Sequence, residues 1–180
     1  LVNNPYSKWN QIDASLPSRE IVIYGPPKSS GTRDAFEDMI LKGQTKKMAV
    51  YTDLYKADKV KNKAYKKYKK IRTDGVYVPS GENDNLIVTK LNKNRAAFGI
   101  FGYSFLMEND DKVQGSKING VVPTPDTISS GKYPISRSLF FYTKNSHALK
   151  VPAMDKYVDM FMSEDMIGKE GILGEIGLIS

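Results

Sequence analysis

The chain has 180 residues, 40% of them hydrophobic and 26% charged, with one histidine, no cysteine and a formal net charge of +7. Such a length makes one domain, or one and a part, and buries roughly 70% of the unfolded surface without disulfide or metal staples. The lack of cysteine excludes disulfide scaffolds, thiolate metal sites and a cysteine nucleophile, and a single histidine excludes a multi-histidine zinc site.

No apolar run approaches the ~20 residues of a membrane-spanning helix. The opening Leu1-Val2-Asn3, without a start methionine or signal peptide, reads as a mature or truncated product.

Trp9 and Ile12 stand among turn formers up to Leu16-Pro17-Ser18. Glu20-Ile-Val-Ile-Tyr24, bounded by Gly25-Pro26-Pro27, predicts a buried strand. Phe36, Met39 and Ile40 recur at helical spacing, which predicts a helix over 34–41 with Gly43 as its stop. A lysine-rich helix follows, and then Gly75–Pro79 as a second strand. Leu86, Ile87, Lys90 and Leu91 suggest a short helix. Ala97–Tyr103 reads as a strand whose glycines let another backbone approach closely. Gly120–Pro123 and Leu139–Tyr142 are further strand candidates. A last helix starts at Pro152, with Met154, Tyr157, Val158, Phe161 and Met162 as its apolar stripe. Strands alternate with helices, so the class is α/β with a mixed, mostly parallel sheet flanked by helices.

The charge is concentrated. Between Lys42 and Lys70, 11 lysines stand against Asp53 and Asp58, so this segment carries +9 and the remainder of the chain −2. Ala57, Val60, Ala64, Tyr68 and Ile71 step through it at helical spacing. The plain reading is a solvated amphipathic helix whose lysine stems cover apolar surface. The sharper reading is a face for nucleic acid or an anionic surface, on which Tyr51, Tyr55, Tyr65 and Tyr68 stack bases.

The most informative stretch is Ile21 to Phe36, a strand, a turn and then Ser30-Gly31-Thr32 opening a helix. Helix N-termini carry backbone N–H groups without intrahelical partners and the positive end of the dipole. Gly31 permits close approach, Ser30 and Thr32 offer hydroxyls, and Arg33 adds a planar fork suited to oxygens. The set is either an oxyanion cup for a tetrahedral ion or an ordinary Ser/Thr cap after a strand. It is neither a Walker loop nor a Gly-x-Ser-x-Gly elbow. His147 lies in a polar stretch and reads as a surface residue. Glu82-Asn-Asp84 and Glu108-Asn-Asp-Asp111 lack the calcium-loop pattern and read as turns and caps. No carboxylate pair, metal set or cofactor motif argues for catalysis, which disfavours a phosphate-ester enzyme built on the same cup.

Four motifs in order, Ser30-Gly-Thr-Arg-Asp-Ala-Phe36, Gly81–Val88, Phe98–Ser104 and Gly131–Leu139, resemble the bacterial phosphate-binding proteins of ABC phosphate importers, from about Trp9 to Gly177. The resemblance implies a two-lobe type II periplasmic binding protein, periplasmic and without enzymatic activity, cofactor or metal. Its partners are inorganic phosphate and the importer's membrane permease; nucleic acid is disfavoured. By the same likeness residues 5–132 form the second lobe, and residues 133–180 cross back into an incomplete first lobe. Ser30, Gly31 and Thr32 match the family's phosphate-binding Ser-Gly-Thr. Pro26 stands where many members place an arginine, which leaves Arg33 or Arg72 as candidates for the missing charge. Arg72 has the alternative of an ion pair with Asp74 or Glu82. The family's first-lobe loop and its proton-accepting aspartate have no counterpart in this sequence. The apolar 139–162 surface is then expected to meet a second chain carrying that segment, or a second copy of itself.

Overall fold

In the computed structural model the described residues are 5–49, 53, 70–148 and 150–180. The chain divides into two compact units, Leu1–Phe105 with Asn109–Val113, and Leu106–Glu108 with Gln114–Ser180.

The first unit is built on three short parallel strands, β1 (Ile23–Gly25), β2 (Tyr77–Pro79) and β3 (Phe98–Gly99), in the order β2-β1-β3. Ile23 pairs with both Tyr77 and Phe98, so β1 lies at the centre, where its β-branched and aromatic residues are covered from both sides. The predicted strand at 20–24 thus forms three residues later. Glu20 makes only an isolated antiparallel bridge to Lys8.

Helix α1 (Gly31–Phe36) follows β1, runs on through a π-helical stretch (Glu37–Lys42) and ends in α2 (Gly43–Thr45). Helical backbone therefore starts at Gly31, where Ser30-Gly31-Thr32 was read as opening the helix, three residues before the apolar spacing marks it. Gly43 does not stop it, because its φ of −59° and ψ of −45° are those of ordinary helix. Helix α3 (Asn85–Lys93) connects β2 to β3 and buries Ile87 completely and Val88 almost so.

The pleat sorts the two faces of the sheet. Tyr77 and Gly25 share one face, where Arg33 of α1 lies over the Tyr77 ring. Tyr24 points to the other, where the Lys90 ammonium of α3 lies over its ring. The glycine of β3 has a different cause from the one expected. A Cβ on Gly99 would come within 2.6 Å of the Leu91 side chain, so helix α3, not a neighbouring backbone, demands the glycine.

The second unit is helical where it is regular. It holds α5 (Pro125–Ser129), α6 (Asn145–Ala148), α7 (Met154–Phe161), α8 (Glu164–Ile167) and α9 (Ile172–Glu175), while α4 (Tyr103–Met107) lies at the division between units. Thr124 caps α5 with a reciprocal capping box to Thr127, and Pro125 occupies the first turn. The strand expected at 120–123 is replaced by a tight turn. Asn119 (φ 52°) and Gly120 (φ 82°) fold Ile118 back onto Val121. Leu139–Tyr142 pairs with no strand among the described residues, and Phe140 and Tyr142 are 76% and 91% exposed. Phe141 packs on α7, edge-on to Phe161 at 5.1 Å. Helix α7 starts at Met154, two residues after Pro152; Met154, Val158 and Phe161 of its predicted stripe are half-buried, its Tyr157 and Met160 side is exposed, and Met162, just past its end, is exposed as well.

Among the described residues, no helix is long and apolar enough to cross a membrane.

Candidate functional site

In a parallel sheet flanked by helices, ligands bind outside the carboxyl ends of the strands. In the first unit that edge is formed by the segments following β1, β2 and β3: residues 26–30, 80–84 and 100–102.

Ser30 is extended (φ −78°, ψ 131°) and caps α1, its Oγ accepting the Thr32 N–H at 3.2 Å. The first intrahelical bond is Asp34 N–H to Ser30 O. This leaves the Gly31 and Arg33 N–H groups without intrahelical partners and the Ser30 and Thr32 hydroxyl protons available to an acceptor. A Cβ on Gly31 would meet nothing within 4 Å, so the flank of the first turn at Gly31 is open space. The Thr32 N–H itself is satisfied by the cap. The cup therefore offers two backbone donors and two hydroxyls.

Neither arginine proposed for the missing charge faces that space. Arg33 is 5% exposed, donates through Nε to Glu37 at 3.0 Å and lies 5.0 Å over the Tyr77 ring. Its guanidinium is built into the sheet face beneath the helix. Arg72 precedes β2 and so belongs to the amino edge of the sheet, opposite the cup. Its Nε donates to both Asp74 oxygens at 2.7 and 2.9 Å, and its Nη1 to the Tyr6 carbonyl at 2.7 Å. Of the two readings of Arg72, the ion pair with Asp74 is the one that forms. This pairing holds the Asp74 carboxyl below its ordinary value. Pro26 is fully buried, and its carbonyl accepts the Tyr77 hydroxyl at 2.6 Å.

The structure brings further residues to the neighbourhood of the cup: Ser29 and Ser80, which the sequence had not singled out, and Glu82 and Asp84 in ties that the sequence could not show. The Ser29 hydroxyl donates to Glu82, which joins the loop after β1 to the turn after β2. Ser80 is 4% exposed, donates its N–H to Gly25 O and receives the Lys90 ammonium on its Oγ at 3.1 Å. Asp84, 8% exposed, accepts the Gly102 N–H at 3.0 Å and so ties the turn after β2 to the segment after β3. Burial raises its carboxyl pKa, and the Gly102 bond lowers it in part. The acidic cluster at 82–84 is a turn, as read from sequence, but Asp84 makes no side-chain cap on α3; Glu82 and Asp84 instead tie the turn to the segments after β1 and β3. No spacing rule could have found Tyr77 or Glu82, which lie 51 and 53 residues from their loop partners. Only the parallel register brings them there.

His147 is exposed on α6, as its polar context implied. Among the described residues no group of acidic, histidine or cysteine side chains could hold a metal ion. The predicted lysine helix, with Ala57, Val60, Ala64 and Tyr68 and the tyrosines around them, lies outside the described residues.

The chain is 29% identical over 162 residues to the phosphate-binding protein PstS of Staphylococcus epidermidis, covering 87% of this chain and 41% of that protein. It is 30% identical over 162 residues to the PstS of Staphylococcus aureus, covering 87% and 40%. Its fold matches the crystal structure of a possible phosphate-binding protein from Planctomyces limnophilus with a TM-score of 0.62 at 29% identity, over 98% of this chain and 54% of that one. It also matches the fold of PstS from Borrelia burgdorferi, with a TM-score of 0.56 at 22% identity, over 96% and 56%. The chain therefore spans about two-fifths of the length of the curated relatives it matches. The PBP superfamily domain matches residues 6–165, nearly the whole of the sequence, and the chain belongs to that family.

Proposed function

We propose that this chain carries the oxyanion-binding half of a phosphate receptor serving an ABC importer, and that Ser30, Gly31 and Thr32 hold inorganic phosphate. The observation that carries this reading is the capped helix N-terminus at the carboxyl edge of a parallel sheet, where the Gly31 and Arg33 N–H groups have no intrahelical partner and Gly31 borders open space. The names of the relatives support the choice of phosphate among tetrahedral anions.

The function is capture without catalysis. The cup presents donors and no base, so it binds an anion and has no means of activating water against it. In this reading residues 5–132 act as one lobe and residues 133–180 as the return into the other. The receptor works outside the cytoplasmic membrane and delivers phosphate to the importer's permease. Neither Arg33 nor Arg72 touches the ligand.

The exposed Leu139–Tyr142 run and the exposed side of α7 form the surface that completes the receptor. The occupant is a second polypeptide stretch bearing the first-lobe segment, or failing that a second copy. Light scattering at high concentration together with mass spectrometry tests this, and a strictly monomeric single species counts against it.

Equilibrium dialysis with labelled phosphate, in the presence of sulfate and at two salt concentrations, tests the main reading. Saturable binding that survives moderate salt and weakens in Thr32→Ala is expected. Salt-labile binding indifferent to Thr32 would move the activity to the lysine-rich segment, because counterion release makes such binding fall steeply with salt.

A further inference from the structure

The residue that fixes the cup is remote from it in sequence. Tyr77, 6% exposed, touches the end of β1 and both the loop and the helix that form the cup. Its hydroxyl donates to the Pro26 carbonyl at 2.6 Å, at the start of the loop. Its ring carries the Arg33 guanidinium at 5.0 Å, in the first turn of α1. Its phenol also fills the space in front of Gly25, where an added Cβ would lie 2.4 Å from the hydroxyl oxygen. Arg33 is in turn held by Glu37 one turn later. The loop from Pro26 to Ser30 is therefore fastened to β2 at its first residue and, through Arg33, just past its last.

We propose that Tyr77, acting with Arg33, is the positioning residue of the anion cup. The pair sets where the Gly31 and Arg33 N–H groups and the Ser30 and Thr32 hydroxyls stand relative to the sheet, without either side chain touching the ligand. This inference rests on the reading of Ser30–Thr32 as the phosphate site.

The physical case is one of preorganisation. Donors held in place before the anion arrives lose little freedom when it binds, whereas a loop free to shift must be ordered at the expense of affinity. Two anchors of different chemistry suit this purpose. The hydroxyl-to-carbonyl bond is directional and fixes the loop along the strand, while the guanidinium on the ring face fixes the rotation of the helix's first turn. The arginine's burial also explains why a charge so close in sequence to the cup makes no direct contact with it.

The test compares the wild-type chain with Tyr77→Phe, which keeps the ring under Arg33 and removes only the hydroxyl, and with Arg33→Lys, which keeps the charge and removes the planar fork. Two readouts are taken well below the thermal midpoint: labelled-phosphate affinity, and amide hydrogen exchange at Thr32 and Asp34, the first bonded amides of α1. In Tyr77→Phe, affinity is expected to fall roughly three- to tenfold, as for loss of one buried hydrogen bond. Exchange at Thr32 and Asp34 is expected to quicken while exchange in the Ile87–Val88 turn of α3 stays unchanged. Arg33→Lys should act in the same direction.

If both variants melt earlier yet keep wild-type affinity and wild-type exchange at Thr32 and Asp34, the two side chains only add stability and the inference is overturned. If the wild-type chain takes up no phosphate, the phosphate reading fails by itself. The exchange measurement still decides whether Tyr77 fixes the first turn, with unchanged exchange refuting it.

Discussion

Replacing Gly25 by alanine puts the packing beneath the cup to a quantitative test. The new methyl would sit 2.4 Å from the Tyr77 hydroxyl oxygen and 2.7 Å from two ring carbons, well inside van der Waals contact. The ring cannot simply rotate away. It is buried, its hydroxyl is bonded to Pro26, and Arg33 lies on its face. Tyr77 must therefore shift as a whole or the strand must bend. Overpacking of this kind costs about 1–3 kcal/mol, and breaking the buried hydroxyl-to-carbonyl bond adds about 1 kcal/mol, so Gly25→Ala should destabilise by about 2–4 kcal/mol. Urea denaturation followed by circular dichroism measures it, with the midpoint lowered and the slope unchanged.

A second substitution separates this clash from a general intolerance of alanine in a short strand. Tyr77→Leu removes the phenol, and Gly25→Ala made on that background should cost much less than on the wild type. The positive coupling between the two sites is the signature of direct contact. A loss in the single mutant below about 0.5 kcal/mol, or the same loss in both backgrounds, would refute the reasoning, since surface changes away from any such contact stay within about that range.

Ile87→Ala, at a position with no exposed surface where α3 meets the sheet, should cost about 2–5 kcal/mol by the same denaturation assay, and a value near zero would mean that α3 is not seated as described. Ser30→Ala removes the acceptor for the Thr32 N–H and should destabilise by about 0.5–2 kcal/mol while also weakening phosphate uptake in dialysis; a stability loss with unaltered uptake would reduce Ser30 to a cap. Burial raises the Asp84 pKa, so the folded protein holds that proton more firmly than the unfolded chain does, and the residue's contribution to stability fades as pH rises through the raised value. Asp84→Asn keeps an acceptor for the Gly102 N–H and cannot ionise, so its stability relative to wild type should improve from acid toward neutral pH; parallel pH–stability curves would refute this. Arg72→Ala should return the Asp74 carboxyl toward its ordinary value in an NMR titration, because the Arg72 hydrogen bond is the main cause of its lowering. Phosphate affinity should be unaltered, and a large loss would place Arg72 at the ligand after all.

The local pattern was sufficient for the parts of this protein that close on themselves. A β-branched run followed by Gly25-Pro26-Pro27, then a Ser-Gly-Thr opening a helix, reports a strand, a turn and a capped N-terminus. These are decided by backbone preferences and hydrogen bonds within a few residues, and the structure contains all three. The spacing around Ile87 likewise marked a helix face that is buried. The order of motifs along the chain was enough to indicate the family.

What the tertiary structure decided concerns residues whose role depends on partners far away in the chain. Arg33 and Arg72 are both free cations on paper, and either suits an anion. The fold presses one onto Tyr77 beside Glu37 and pairs the other with Asp74 at the opposite edge of the sheet. Gly99 looked like a site of backbone approach and proved to make room for Leu91. Gly120–Pro123 and Leu139–Tyr142 have strand-forming residues, yet one became a turn and the other an exposed run without a ladder among the described residues. A strand exists only when a neighbour supplies the other half of its hydrogen bonds, and no residue carries that information about itself. Tyr77 makes the same point. Nothing in its own sequence context sets it apart, and the parallel register of β1 with β2 alone puts its hydroxyl against the Pro26 carbonyl, in the loop that leads to Ser30-Gly31-Thr32.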